Sequence, residues 1–181
     1  MEDFNAFDWS GASEFEQRRQ IRKAGAAELN AVMRHYDWAH HPQTVIGWAA
    51  AQKEVELGAA LAAFFNGDPM RFNYVPKRDV SDDYAATMRL LDTIFQRINA
   101  GFYLPDPVFC EEKLAMLERW MTYQREDARS RTCCGRWVFD TEMLEPVLGP
   151  QVIGFDLSPR ESGDEAGSGF SVMKLLKPLV G

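Results

Sequence analysis

The sequence predicts a mainly α fold, an orthogonal or antiparallel bundle of five to six helices with a small C-terminal β element. Three observations carry that prediction. Apolar residues recur at steps of three and four through most of the chain, and helix-start and helix-stop residues bracket those stretches. Alternation with a period of two is confined to the region after Arg131.

Ser13 and Glu16 form an S-x-x-E capping box, in which each side chain satisfies the other residue's free backbone N–H. Ile21, Leu29, Val32, Met33 and Tyr36 follow at helical spacing, so a first helix is expected over 14–36. Pro42 suits the first helical position, where its missing N–H costs nothing, and Val45, Ile46 and Ala49 form the stripe of a short second helix. A third is expected over 56–66, with Leu57, Leu61, Phe64 and Phe65 facing inward. Gly58, Ala59, Ala60, Ala62 and Ala63 keep the rest of it small, which lets neighbouring axes approach closely and places this helix at the centre. Gly67 is expected in the left-handed position that ends it, with Pro69 blocking continuation.

Residues 70–80, which include Pro76, read as a connecting loop. Ser81 is placed to cap the next helix, and Asp82 and Asp83 lie in its first turn, where the helix dipole favours negative charge. Tyr84, Met88, Leu91, Phe95, Ile98 and Phe102 then form a narrow seam that ends at Gly101. Asp106 and Pro107 can open another helix, with Glu111 and Glu112 in its first turn. Cys110, Leu114, Leu117 and Met121 line that helix and Trp120 borders the face, so the two helices are expected to form an antiparallel hairpin. Trp137, Val138 and Phe139, with the alternation over 153–157, predict one small ribbon flanking a short helix at 142–148. Residues 158–181 read as a flexible tail with an apolar end, leaving a single helical domain over 1–157.

Composition bounds what such a domain can do. At 181 residues a single core can form without metal or disulfide staples. Twenty Lys and Arg against 27 Asp and Glu give a net charge of −7, a field that repels nucleic acid and anionic membranes and favours a basic partner. The cations Arg18, Arg19, Arg22 and Lys23 are interspersed with Glu14, Glu16 and Glu28, the pattern of a solvated helix face. Three cysteines without a disulfide-framework spacing, an acidic start with no export signal and no long apolar run together predict a cytoplasmic protein.

All three histidines lie close together, and His35, His40 and His41 with Asp37 are the first place to look for a metal or a general base. Spacing argues against a chelate, because adjacent His40 and His41 diverge in helix or strand and no H-E-x-x-H is present. Trp38 and Trp48 flank this turn and are expected in the core, with an aromatic ligand wall as the alternative. Cys110 lies on an apolar seam, where a thiol acts as a small hydrophobe. Cys133 and Cys134 read as two reduced thiols in a loop. No Walker loop, G-x-G-x-x-G or G-x-S-x-G occurs.

Tyr36, Trp38, Pro42, Trp48, Glu56, Ala60, Leu61, Phe64, Phe65, Gly67 and Pro69 follow the order Y-x-W-x-x-x-x-P, W, A-L-x-x-F-F-x-G-x-P. Over residues 36–72 the chain thereby resembles a family of short bacterial helical domains of unknown function. Val55 stands where that pattern has a cysteine. The resemblance implies a soluble helical bacterial domain and assigns it no chemistry.

The resulting expectation is a non-enzymatic protein-interaction or regulatory domain, immunity-like in one form, that binds a basic partner without a cofactor. The alternative is a metal-dependent hydrolase or oxygenase using His35, Asp37, His40 and His41. In either case a ligand is expected beside His35, Asp37, Trp38, His40, His41 and Trp48, with no catalytic residue or metal ligand assigned.

Overall fold

The computed structural model describes residues 4–105, 111–130 and 134–148. Cys110, Cys133, the alternating stretch 153–157 and the tail 158–181 lie outside them. The described residues form eight α-helices, more than the five to six expected. These are α1 (Glu14–Ile21), α2 (Ala26–His35), α3 (Pro42–Ala49), α4 (Leu57–Asn66), α5 (Met70–Asn73), α6 (Asp82–Asn99), α7 (Glu111–Ser130) and α8 (Thr141–Leu148). Short 3-10 turns occupy Phe4–Ala6 and Lys77–Asp79. Among the described residues no helix is long and apolar enough to cross a membrane.

The first expected helix is two. The capping box at its start is present, with the Ser13 N–H and hydroxyl both donating to Glu16 Oε2 at 2.9 and 2.6 Å. At the break, the N–H groups of Lys23 and Ala24 turn back onto Gln20 and Ile21. Glu28 then accepts the Gly25 N–H at 2.7 Å, so a second start signal overrides the continuing apolar spacing. Residues 70–80, expected as a loop, contain α5 and the second 3-10 turn.

α4 sits at the centre, as its small residues predict. Every residue from Leu57 to Phe65 is buried, and α2, α6 and α7 all pack against this helix. α1 packs on α3, and α3 in turn packs on α2 and α6. α6 therefore has neighbours on two sides, and Leu90 and Ile94 are buried along with Met88, Leu91 and Ile98, widening the narrow seam that was expected. α7 takes α4 rather than α6 as its main partner, which replaces the expected hairpin. The contact is aromatic: Trp120 of α7 meets Phe64 and Phe65 of α4 edge-on, with ring centroids 5.6 and 5.9 Å away, and Phe64 also meets Trp137 and Phe139 at 5.4 and 5.2 Å. Such pairs contribute about 0.5–1.5 kcal/mol each beyond the area they bury.

α4 ends differently from expectation. Asp68, not Gly67, takes the left-handed conformation, with φ 52°. Gly67 is required instead for space, because a Cβ there would stand 2.7 Å from the Trp38 ring and 2.8 Å from Leu91. Gly101 does take positive φ, at 63°, where α6 stops. Ser81 occupies the N-cap position of α6, but its side chain makes no capping hydrogen bond. The chain leaving α6 returns to the start of α4: the Leu57 N–H donates to Leu104 O at 2.8 Å and the Leu104 N–H to Val55 O at 2.9 Å.

No strand forms at Trp137–Phe139 among the described residues. The apolar run there is split between two environments, since Trp137 and Phe139 are buried and Val138 is exposed. Side chains of the helices take the place of a partner strand. Asn73 Oδ1 accepts the Trp137 N–H, Gln124 accepts the Phe139 N–H and donates to its carbonyl, and Asn99 accepts the Asp140 N–H. Trp120 Nε1 adds a hydrogen bond to the Trp137 carbonyl at 3.2 Å. The segment is a strap across α5, α6 and α7.

Candidate functional site: the turn between α2 and α3

Residues 36–41 join α2 to α3, and their geometry follows from one buried phenol. Tyr36 caps the C-terminal end of α2 in an extended conformation, which turns the chain out of the helix. Its hydroxyl donates to Gln17 Oε1 at 2.6 Å and accepts the His41 N–H at 2.9 Å, tying α1 to the start of α3. Burial pushes the Tyr36 pKa above the ordinary phenol value, so this hydroxyl keeps its proton as a donor. Asp37 Oδ1 accepts the Ala39 N–H at 2.8 Å, and Asp37 Oδ2 lies 3.7 Å from His40 Nε2. Pro42 opens α3, as expected.

Two open clefts flank this turn. The first, of about 320 Å³, is walled by Trp9, Val32 and Tyr36, with His35, Asp37 and His40 among its polar groups. Trp9 meets Tyr36 edge-on at 5.9 Å, and Gln17 holds the Trp9 carbonyl from below at 2.6 Å. Asp8, beside Trp9, accepts from the hydroxyl and N–H of Ser10 and from the Gly11 N–H. The Ser10 hydroxyl, followed by the Gly11 and Ser10 N–H groups, holds the Asp8 carboxyl below its usual range, with His40 close enough to add a small further effect. The second cleft, of about 430 Å³, is lined by Arg34, His35, Asp37, Trp38, Asn66 and Lys113. There Asn66 links α2 to α7, donating to Arg34 O at 2.9 Å and accepting from Lys113 Nζ at 2.6 Å.

The structure places the expected site residues unevenly. His35 and Asp37 border both clefts, His40 the first and Trp38 the second. His41 borders neither, and its backbone N–H is taken by Tyr36. Trp48 also borders neither. It is 38% exposed on the outer side of α3, beneath Arg22, and is not the core anchor its size predicts. Trp38 does pack inward by its benzo edge, while its buried Nε1 has no hydrogen-bond acceptor among the described residues. Among the described residues no group of three or more His, Cys, Asp or Glu is placed to hold a metal ion. Cys134 is exposed and free.

Sequence reasoning missed the N-terminal wall of the first cleft. The available signal was the close spacing of Phe4, Phe7 and Trp9 ahead of the capping box, since three aromatics within one short polar segment rarely stay in solvent. Phe4 and Phe7 both pack on Trp9, at 5.6 and 4.9 Å. Asn66 and Lys113 come from distant helices and carry no local signature. Comparison with protein-family models, curated proteins and solved structures finds no match for this chain.

Proposed function

We propose that this chain is a non-enzymatic protein-interaction domain, regulatory or immunity-like in role, whose first cleft receives a basic side chain of a partner protein. The observation that carries this reading is the makeup of that cleft: aromatic walls at Trp9 and Tyr36 beside the exposed carboxylate of Asp37, with ionised Asp8 nearby. A guanidinium or ammonium gains from both an aromatic surface and a carboxylate, and the acidic body steers a basic partner toward it. The hydroxyls in the cleft are committed elsewhere. Tyr36 OH bridges Gln17 and His41, and Ser10 donates to Asp8 rather than to an imidazole that would activate it. The bacterial origin and family membership suggested by the motif over 36–72 belong to the same proposal.

A fluorescein-labelled Arg-Gly repeat peptide tests it, with Gln-Gly and Glu-Gly repeats as controls. Asp37→Asn retains an oxygen for the Ala39 N–H and removes the charge. It is expected to weaken Arg-Gly binding about tenfold, the scale of one charge-assisted contact, and Trp9→Ala by a similar amount. Equal affinity in wild type and D37N overturns the reading, as does catalytic turnover that a His35 or His40 substitution abolishes.

A further inference from the structure

The acidic surface carries one face of the opposite character. Phe15 and Arg19 lie on α1 and Arg22 is its C-cap in helical conformation, so the three stand at i, i+4 and i+7 and share one stripe. The packing of α1 on α3 brings Trp48 alongside, with the Arg22 guanidinium 5.3 Å from its ring centroid. Arg19 lies 6.0 Å from the Phe15 ring. Phe15 is 66% exposed and Trp48 38% exposed, so both aromatic side chains of this face are open to solvent.

The charges on this face do not cancel. Arg18 is neutralised by Glu14 at 2.8 Å, and Glu14 also accepts the Thr44 hydroxyl across the α1–α3 seam. Glu16 is held by Ser13, where it caps the helix, and it feels the Arg19 charge only as a minor effect without forming an ion pair with it. Among the described residues neither Arg19 nor Arg22 has a carboxylate in ion-pair range, and Lys23 extends the exposed basic edge. Aromatic residues and Arg are the types enriched where protein surfaces meet. A guanidinium lying on a ring keeps its in-plane N–H fork free, and that fork matches a carboxylate with two parallel hydrogen bonds.

We infer that the face formed by Phe15, Arg19, Arg22 and Trp48 is a second docking surface, and that its occupant is an acidic polypeptide segment with an apolar side chain. Arg19 and Arg22 take the partner's carboxylates in their forks, and the apolar side chain covers Phe15 and the open side of Trp48. The inference goes beyond the proposed Asp37 cleft and is independent of it: the two surfaces differ in position and in the sign of charge they accept.

The experiment is a fluorescence-anisotropy titration of the full chain with a labelled Glu-Leu repeat peptide, against Gln-Leu and Lys-Leu repeats. A parallel sedimentation assay uses vesicles of phosphatidylserine and phosphatidylcholine. Glu-Leu is expected to bind in preference to both controls and to weaken as salt rises. Arg19→Glu with Arg22→Glu is expected to lower its affinity at least about tenfold, and Phe15→Ala several-fold, with thermal unfolding unchanged because all three side chains are exposed. Asp37→Asn should leave this binding unaltered. Preference for Lys-Leu, Glu-Leu affinity unchanged in the double variant, or binding to the acidic vesicles alone overturns the inference, the last outcome marking the face as a membrane contact.

Discussion

Gly67 and Trp38 are in such close contact that a methyl group on the glycine would stand 2.7 Å from the indole ring. Leu91 closes on the same point from α6, at 2.8 Å, so Gly67 is where the turn after α2 and α6 both meet the end of α4. Gly67→Ala must displace both Trp38 and Leu91 or shift the end of α4. The expected cost is about 1–3 kcal/mol, typical of overpacking in a filled core. Chemical denaturation with tryptophan fluorescence checks it, and stability within about 0.5 kcal/mol of wild type, the scale of a neutral surface change, would show that the indole has room to move.

The strap over 134–140 depends on Asn73, whose backbone carbonyl accepts the Arg136 N–H at 2.8 Å and whose side chain accepts the Trp137 N–H at 3.2 Å. Asn73→Ala leaves a buried N–H of Trp137 without its acceptor, which costs about 1–3 kcal/mol. Asn73→Asp keeps an oxygen in place and should recover part of the loss. Hydrogen exchange read at the Trp137 amide distinguishes the cases: protection falls in the alanine variant and returns in the aspartate variant.

Burial raises the Tyr103 pKa from 10.0 to about 12, and its hydroxyl donates to Ala50 O at 3.1 Å. A phenol with a raised pKa in the folded state stabilises the fold below pH 10.0, and that stabilisation is lost as pH climbs toward about 12. The rise corresponds to about 3 kcal/mol. Unfolding temperature measured from pH 8 to 12 should therefore fall steeply above pH 10, by a smaller amount in Tyr103→Phe. Identical alkaline profiles for the two proteins would remove Tyr103 as the cause.

These sites show which parts of the fold local patterning encodes. The central place of α4 was legible because an alanine-rich helix with Leu61 and Phe64 on it can only be satisfied by neighbours on every side. The break at Gly25 was not, since Ile21, Leu29 and Val32 keep helical spacing across it and only the Glu28 carboxylate marks the new start. Trp137 and Phe139 alternate like strand residues, but period-two burial does not specify whether a strand or a row of side-chain amides completes the hydrogen bonds. At the candidate site, sequence located the turn and its histidines. The aromatic cluster at Phe4, Phe7 and Trp9 did not say which surface it covers, because that follows from the contacts of Trp9 with Tyr36 and Gln17, and the outward face of Trp48 follows from how α1 lies on α3.

The pairing of Leu104 with Val55 and Leu57 also constrains the order in which the protein assembles. The first turn of α4 does not acquire its last backbone partners until the chain has passed through α5 and α6 and returned. A nascent chain ending after α5 therefore holds the central helix with an unfinished entrance, leaving Val55 O and the Leu57 N–H to water. The backbone pairing at the entrance of α4 is therefore completed late, by a ring closure that residues 36–72 do not themselves contain.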